Sequence, residues 1–205
     1  MRTRIKICGI TRLDDALEAI NSGADAIGLV FYPLSPRNIE IKQAAEIVKQ
    51  LPPFISVVGL FVNAEAAAIN TVIKQVGIDL IQFHGDEPES FCKQFSRPYI
   101  KALRMKPELD LNQAAGAYAS ARALLLDTYR KGIPGGTGES FNWDLVPHNF
   151  EKALILAGGL AANNVDQAIA ITRPYAVDVS GGVEKQAGIK DAQKIKDFVA
   201  AVQNC

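Results

Sequence analysis

The amino-acid sequence predicts an α/β fold, a single (β/α)8 barrel that spans residues 1–205. Short apolar runs alternate along the chain with amphipathic stretches of about ten to fifteen residues, which is the pattern of repeated βα units. The runs are continuous in Val, Ile and Leu, as in parallel strands that are buried on both faces. There are eight runs, and we predict strands over 4–8, 26–31, 55–61, 80–83, 99–103, 123–127, 153–157 and 176–179.

Helices are predicted between these strands from the amphipathic stretches and the residues that bound them. Thr11 and Asn63 each precede such a stretch and are expected to cap a helix, because short polar side chains accept hydrogen bonds from first-turn N–H groups. Gly23 and Gly77 follow the same two stretches and are expected to end both helices. The predicted helices cover 12–21, 41–51, 64–76, 86–95, 114–119, 164–171 and 190–202, with a short helical piece near 143–146.

A doubly wound open sheet is the alternative fold for this pattern. That fold usually has about five to seven strands and a first loop of the form Gly-x-Gly-x-x-Gly. The first loop here reads Cys8-Gly9-Ile10-Thr11 and has no such motif. Eight predicted strands in 205 residues are near the lower size limit of a (β/α)8 barrel but still fit one. We therefore expect the barrel and not the open sheet.

Composition and charge exclude several classes of protein. Lys and Arg number 22, as do Asp and Glu, so the net charge is zero and no basic surface for nucleic acid is expected. No apolar run reaches the roughly 18 residues of a membrane span, and 1–11 lacks the apolar stretch of a signal peptide. The cysteines Cys8, Cys92 and Cys205 form no Cys-x-x-Cys pair, which argues against a disulfide framework or a zinc site. These features predict a cytoplasmic protein with no nucleic-acid or membrane partner.

Two glycine pairs follow the last two predicted strands and indicate a phosphate site. Gly158 and Gly159 come after the seventh strand, and Gly181 and Gly182, preceded by Ser180, come after the eighth. Glycines let backbone N–H groups approach an anion closely, and many (β/α)8 barrels bind phosphate in these two loops. Two ordinary turns are the alternative, but both pairs stand in the expected loops. We therefore predict a small-molecule phosphorylated substrate.

Cys8 and Asp127 are candidate catalytic residues because each ends an apolar strand, at the edge where barrel enzymes have their active sites. A thiol at that edge is a usable base when nearby cations stabilise the thiolate. A carboxyl group that is partly removed from water is suited to act as an acid. The alternatives are a small buried apolar role for Cys8, and a helix cap or an ion pair for Asp127.

Arg37, His84 and a glycine-rich segment complete the candidate site. Arg37 lies in the loop after the second strand, and its planar guanidinium suits bidentate binding of a carboxylate, with a solvated surface arginine as the alternative. His84 follows the fourth strand and either orients a substrate or satisfies a loop carbonyl. The segment Gly-Gly-Thr-Gly at 135–138 lacks the Gly-Lys-Ser/Thr of a Walker loop and is expected to be an active-site lid.

The motifs that contain these residues resemble, in order and over essentially the whole chain, those of the phosphoribosylanthranilate isomerase family. The resemblance lies in KICGIT at 6–11, GAD at 23–25 with the glycine at 28, SPR at 35–37, GLFVN at 59–63, QFHG at 82–85, LD at 126–127, GGTG at 135–138, LAGGL at 156–160 and VDVSGGVE at 177–184. Two departures are Phe83, where the family more often has Leu, and Gly181, where it more often has Ser. Neither departure removes a reacting group.

The resemblance implies an isomerase of tryptophan biosynthesis. Its substrate would be N-(5′-phosphoribosyl)anthranilate, and an Amadori rearrangement would convert it to 1-(2-carboxyphenylamino)-1-deoxyribulose 5-phosphate. The resemblance further implies that Cys8 is the general base, that Asp127 is the general acid, and that no metal or organic cofactor takes part. Arg37 would bind the anthranilate carboxylate, and the two glycine pairs would bind the phosphate.

Two alternatives remain for the function. A related barrel isomerase of histidine biosynthesis uses an aspartate as base on its first strand, where this chain has Cys8. A non-catalytic barrel that binds a phosphorylated metabolite would keep the glycine pairs but would not need both Cys8 and Asp127. The sequence leaves the oligomeric state open between a monomer and a homodimer.

Overall fold

A computed structural model describes residues 2–106, 108–128, 142–147 and 150–205 of the chain. Eight parallel strands form a closed barrel in chain order, and the first strand pairs with the eighth to close it. The predicted fold class is therefore confirmed. The strands are β1 Arg4–Cys8, β2 Ala26–Val30, β3 Ser56–Phe61, β4 Leu80–Phe83, β5 Tyr99–Met105, β6 Ala123–Thr128, β7 Leu154–Leu156 and β8 Ala176–Val179.

The barrel interior changes from apolar to polar along the strands. Leu125 of β6, Ile155 of β7 and Ala176 of β8 are partners in register and belong to one buried apolar cluster. Nearer the carboxyl ends of the strands, the wall of the interior includes Gln82 and Asp127. Because side chains of a strand alternate between its two faces, the polar positions lie directly above the apolar layer. The apolar layer thus forms the floor of the site.

The helices lie between successive strands, as predicted, and cover the outside of the barrel. Gly23 and Gly77 end α1 and α3 with φ values of 111° and 77°, so these two helix stops are confirmed. In the described residues the helices are α1 Leu13–Ser22, α2 Ile41–Val48, α3 Ala66–Val76, α4 Glu89–Cys92, α5 Leu111–Ala117, α6 Val165–Thr172 and α7 Ala192–Gln203, with short 3₁₀ turns at Trp143–Leu145 and Gly181–Val183.

The two predicted helix caps are wrong, because both side chains make contacts with distant segments instead. The hydroxyl of Thr11 donates a hydrogen bond to the carbonyl of Gly188, and Oδ1 of Asn63 accepts one from the N–H of Asp86 at 2.8 Å. The side-chain caps occur elsewhere. Asp110 caps α5 and Asp191 caps α7, each accepting hydrogen bonds from two first-turn N–H groups.

A two-stranded antiparallel hairpin follows β8 and was not predicted. It consists of β9 Glu184–Gln186 and β10 Ile189–Lys190. Lys190 was predicted to begin the last helix, but it lies in β10, and α7 begins only at Ala192. The hairpin is important for the site because its two ends carry charged side chains back to the barrel mouth.

Two further expectations concern the membrane and the lid. Within the part of the chain that the structure describes, no helix combines the length and the apolar character that crossing a membrane requires. The predicted lid at 135–138 lies outside the described residues.

Candidate active site

A cavity of about 600 Å³ opens at the carboxyl ends of the barrel strands. Its wall contains nine residues that the sequence predicted for the site, namely Cys8, Arg37, His84, Asp127, Gly158, Gly159, Ser180, Gly181 and Gly182. These residues come from β1, β6 and the loops after β2, β4, β7 and β8. The closure of the barrel brings them together, because all eight strands point their carboxyl ends to one face.

Cys8 ends β1 above a glycine of the neighbouring strand. A Cβ atom added at Gly28 would lie 2.7 Å from Cys8 Sγ and 3.1 Å from Lys6 Cε, so a glycine leaves the room that both side chains occupy. The thiol is only 5% exposed but lines the cavity. Burial raises the pKa of the Cys8 thiol above its usual value, although Lys6 and Lys190 act in the opposite direction. Two cations therefore act on Cys8, but they offset the burial only in part.

Lys6 and Asp178 form a buried ion pair beside Cys8. Lys6 Nζ lies 2.8 Å from Asp178 Oδ1, and the two side chains are 5% and 7% exposed. They are register partners on β1 and β8, the strands that close the barrel. Burial by itself would lower the pKa of Lys6, but Asp178 and Cys8 together outweigh it, and the pKa is raised. The 2.8 Å contact with the Asp178 carboxylate thus favours the ammonium form of Lys6.

Asp127 is held by a short chain of buried polar groups. Its Oδ2 lies 3.0 Å from Nε2 of His84, and Nδ1 of His84 lies 3.0 Å from Nε2 of Gln82. Its Oδ1 accepts a hydrogen bond of 2.8 Å from the N–H of Thr128. In this orientation of the amide, Nε2 of Gln82 faces Nδ1 of His84, and Nε2 of His84 faces Asp127. His84 thus orients the carboxyl group in addition to lining the cavity.

Arg37 lies against an acidic residue of the hairpin. Its Nε and Nη2 donate to Oε1 and Oε2 of Glu184, both at 2.8 Å, and Lys190 Nζ donates to Glu184 Oε1 at 2.9 Å. Burial alone would raise the pKa of Glu184, but the two cations outweigh it and hold the pKa below its usual value. Nη1 of Arg37 has no hydrogen-bond partner among the described residues, so this nitrogen is available to a ligand.

The glycine pairs allow the loops after β7 and β8 to approach each other closely. Gly158 and Gly159 have φ values of 81° and 65°, in the left-handed region that favours glycine. A Cβ atom at Gly182 would lie 1.9 Å from the carbonyl oxygen of Leu160. A Cβ atom at Gly181 would meet nothing nearer than Arg37 Nη2, at 3.4 Å. The two glycines of the second pair therefore differ, since only Gly182 is sterically required.

Across residues 2–106, 108–128, 142–147 and 150–205, no group of three or more His, Cys, Asp or Glu side chains is arranged to hold a metal ion.

Comparison with known proteins assigns the chain to a family. The family model described as N-(5′-phosphoribosyl)anthranilate (PRA) isomerase matches residues 5–201. The chain is 58% identical over 200 residues to the N-(5′-phosphoribosyl)anthranilate isomerase of Pseudomonas putida (strain GB-1), covering 98% of this chain and 97% of that protein.

The chain belongs to the phosphoribosylanthranilate isomerase family.

Solved structures of phosphoribosylanthranilate isomerases have the same fold. The crystal structure of the Thermotoga maritima enzyme aligns with a TM-score of 0.91 at 42% identity, over 99% of this chain and 100% of that one. A crystal structure of such an isomerase in complex with reduced 1-(o-carboxyphenylamino)-1-deoxyribulose 5-phosphate aligns with a TM-score of 0.88 at 40% identity, over 99% and 100% of the two chains.

Several site residues of this phosphoribosylanthranilate isomerase were not found by the sequence analysis. They are four charged side chains around the cavity, namely Lys6, Asp178, Glu184 and Lys190. A signal was available for two of them. Lys6 and Asp178 interrupt otherwise apolar strands, and a charged residue inside a buried strand needs a partner or a function.

Proposed function

We propose that Cys8 and Asp127 are the general base and the general acid of this isomerase. As a member of its family, the chain converts N-(5′-phosphoribosyl)anthranilate to 1-(2-carboxyphenylamino)-1-deoxyribulose 5-phosphate in tryptophan biosynthesis. One observation carries the assignment of roles: the thiol and the carboxyl group line the same cavity from different sides, on β1 and β6. One proton donor and one proton acceptor on one substrate are what an aldose–ketose rearrangement needs.

Asp127 opens the ribose ring in the first step. Its carboxyl proton moves to the furanose ring oxygen, the bond between C1′ and that oxygen breaks, and the anthranilate nitrogen supplies the electron pair for a C1′=N double bond. The carboxylate that results accepts the hydrogen bonds from His84 Nε2 and the Thr128 N–H. Both donors favour the charged form that appears during this step, so they assist the proton transfer.

Cys8 removes the C2′ proton in the second step. The thiolate takes that proton, and the electrons of the C–H bond move to the positively charged imine, which gives an enolamine. The enolamine then tautomerises to the ketone product. The positive charge on the imine nitrogen makes the C2′ proton acidic, so the chain's own residues suffice for both transfers.

The two ends of the substrate have separate binding groups. Arg37 Nη1 is free of protein partners among the described residues, while Nε and Nη2 are fixed by Glu184, so the guanidinium is oriented before an anthranilate carboxylate arrives. Backbone N–H groups near Gly159 and Gly182, with Ser180, bind the phosphate. A carboxylate at one end and a phosphate at the other hold C1′ and C2′ between Asp127 and Cys8.

A fluorescence assay tests these roles. Anthranilate-type fluorescence disappears on turnover but not on binding, so it also separates an isomerase from a barrel that only binds a phosphorylated metabolite. Cys8→Ser and Asp127→Asn should each lower kcat by about 10²–10⁴-fold, because each removes one positioned proton transfer. Exposed residues of the same types provide matched controls, and Cys205→Ser and Asp166→Asn should retain wild-type kcat. A folded Cys8→Ser enzyme with wild-type kcat would exclude Cys8 as the base.

Three broader predictions belong to this function. We expect residues 1–205 to act as one catalytic domain in the cytoplasm, and to require no nucleic acid. We expect a monomer or a homodimer, which light scattering distinguishes. A matched pair of purified and metal-depleted samples should have equal kcat, since none of the proposed steps uses a metal ion.

A further inference from the structure

Lys6 and Asp178 are buried ions that neither proton transfer uses. Both side chains are less than one-tenth exposed, and only Asp178 of the two lines the cavity. An ion pair so far from water needs a compensating interaction, because removing two charges from water costs several kcal/mol per ion. Replacing such a pair by apolar residues is often neutral or stabilising, so stability alone does not explain its presence.

The position of Lys6 relative to Cys8 indicates what the pair does. The two residues are two apart on β1, so their side chains point to the same face of the strand. Cys8 Sγ and Lys6 Cε converge on Gly28, where one added carbon atom would lie within 2.7 and 3.1 Å of them. Lys6 therefore brings its charge next to the sulfur, in a region that excludes water.

Other charged groups also face Cys8, namely Lys190, Arg37 and Asp178. Lys190 on β10 donates to Glu184 at 2.9 Å, and burial lowers its pKa. Arg37, from the loop after β2, has two nitrogens bound to the same Glu184 carboxylate. Asp178 on β8 opposes a thiolate through its own negative charge. Lys6 is the cation nearest in sequence and on the same strand face, and its charge has the largest favourable effect on the thiolate.

We propose that Lys6 is a positioning residue for Cys8: its buried ammonium group, oriented by Asp178, stabilises the thiolate that takes the substrate proton. This role presupposes the proposed function of Cys8 as base. Asp178 acts through Lys6, since its carboxylate holds the ammonium group in place and keeps it charged. The simpler alternative is that Lys6 only neutralises Asp178.

A double substitution separates the two possibilities. Lys6→Met alone would leave Asp178 buried and unpaired, which is strongly destabilising by itself. Lys6→Met with Asp178→Asn leaves no unpaired charge. If Lys6 only neutralises Asp178, the double variant is electrically equivalent to the wild type at Cys8. If Lys6 stabilises the thiolate, the double variant has lost that stabilisation.

Alkylation by iodoacetamide measures the thiolate directly and without turnover. All variants carry Cys205→Ser, because Cys205 is exposed, whereas Cys92 is fully buried and burial raises its pKa to about 11. The same protein with Cys8→Ser gives the background rate. An opposite charge within about 4–6 Å changes a pKa by roughly one to three units, and each unit is tenfold in thiolate at a fixed lower pH.

The double variant loses the favourable effect of Lys6 and the smaller opposing effect of Asp178, so we expect it to be alkylated about three- to tenfold more slowly than the wild type at pH 7.5 (a pH below the usual value for a thiol), with the difference disappearing at high pH. A folded double variant that reacts at the wild-type rate would overturn the proposal. If Cys8→Ser retained turnover instead, the base assignment would fail, while the alkylation rates would still report the effect of Lys6 on the thiol.

Discussion

Gly182→Ala is expected to damage substrate binding although it adds a single methyl group. The new Cβ atom would lie 1.9 Å from the Leu160 carbonyl oxygen and 3.2 Å from Ala161 Cα. Non-bonded carbon atoms are optimally about 3.5–4.0 Å apart, so the loops after β7 and β8 must separate by more than 1 Å or so. Since Gly182 has no positive φ, alanine strains the backbone through this contact alone.

The expected magnitude follows from that displacement. A group misplaced by about 1 Å costs on the order of 10²-fold in an active site, and losing one hydrogen bond to a charged group costs about 1.5–3 kcal/mol, or ten- to a hundredfold. We therefore expect KM for the phosphorylated substrate to rise by roughly ten- to a hundredfold, with a smaller effect on kcat. Overpacking should also lower the free energy of unfolding by about 1–3 kcal/mol.

The adjacent glycine is the matched control. A Cβ atom at Gly181 would be 3.4 Å from Arg37 Nη2, an ordinary contact, and the family more often has Ser at this position. Gly181→Ala should therefore retain KM within about threefold. KM is measured by the loss of substrate fluorescence, and the inhibition constant of inorganic phosphate gives an independent value. A folded Gly182→Ala enzyme with wild-type KM, or an equal loss in Gly181→Ala, would refute the assignment of phosphate to these loops.

Three more predictions test the acidic and basic groups of the cavity. Arg37→Lys should lower kcat/KM by about ten- to a hundredfold, because a lysine cannot both bind Glu184 and reach the substrate carboxylate. The kcat/KM for a substrate analogue without the carboxylate should be unaffected. An equal loss for the substrate and the analogue would show that Arg37 has only a structural role. Cys8→Ser and Asp127→Asn should be non-additive in kcat, because the reaction fails once either proton transfer is blocked; multiplicative losses would contradict that. Glu184→Gln should lower the free energy of unfolding by about 3 kcal/mol at pH 7, measured by denaturant titration. The pKa of Glu184 is lower in the folded protein than in the unfolded chain, so ionised Glu184 stabilises the fold at any pH above the usual glutamate pKa. The difference in unfolding free energy between the wild type and Glu184→Gln should therefore shrink as the pH falls through the pKa that Glu184 has in the folded protein.

The strands could be predicted from sequence because their signal is local. Leu124, Leu125 and Leu126 are consecutive apolar residues, so the run itself indicates a strand that is buried on both faces, as the structure has it. The strands β4 and β8 have the predicted bounds. Helix caps were less predictable. Thr11 has the right residue type, but its hydroxyl contacts Gly188, far along the chain. A local pattern cannot show that a distant carbonyl competes for the same hydroxyl.

The residues of the candidate site also divide into those that a local sequence pattern reveals and those that only the fold brings together. Cys8 and Asp127 were found because a strand end is visible in the sequence and strand ends are where barrel enzymes have their active groups. Glu184 was assigned no role, because its importance depends on a hairpin that returns it to Arg37, 147 residues away. Lys6 and Asp178 have a signal in the sequence, as ions inside apolar strands, but only the closed barrel shows that they are each other's partners.

The pairing of β1 with β8, which closes the barrel, determines when the active site is completed as the chain is synthesised. Lys6 and Asp178 are 172 residues apart, yet their contact lies beside Cys8. Contacts at such separations form late in folding, because the entropy lost on closing the chain is offset only after most of the fold is in place. The thiol is therefore synthesised long before Asp178, which completes its electrostatic surroundings. A chain released before residue 176 would carry Cys8 and Asp127 but lack β8, Asp178 and the loop with Gly181 and Gly182, so we expect it to be inactive.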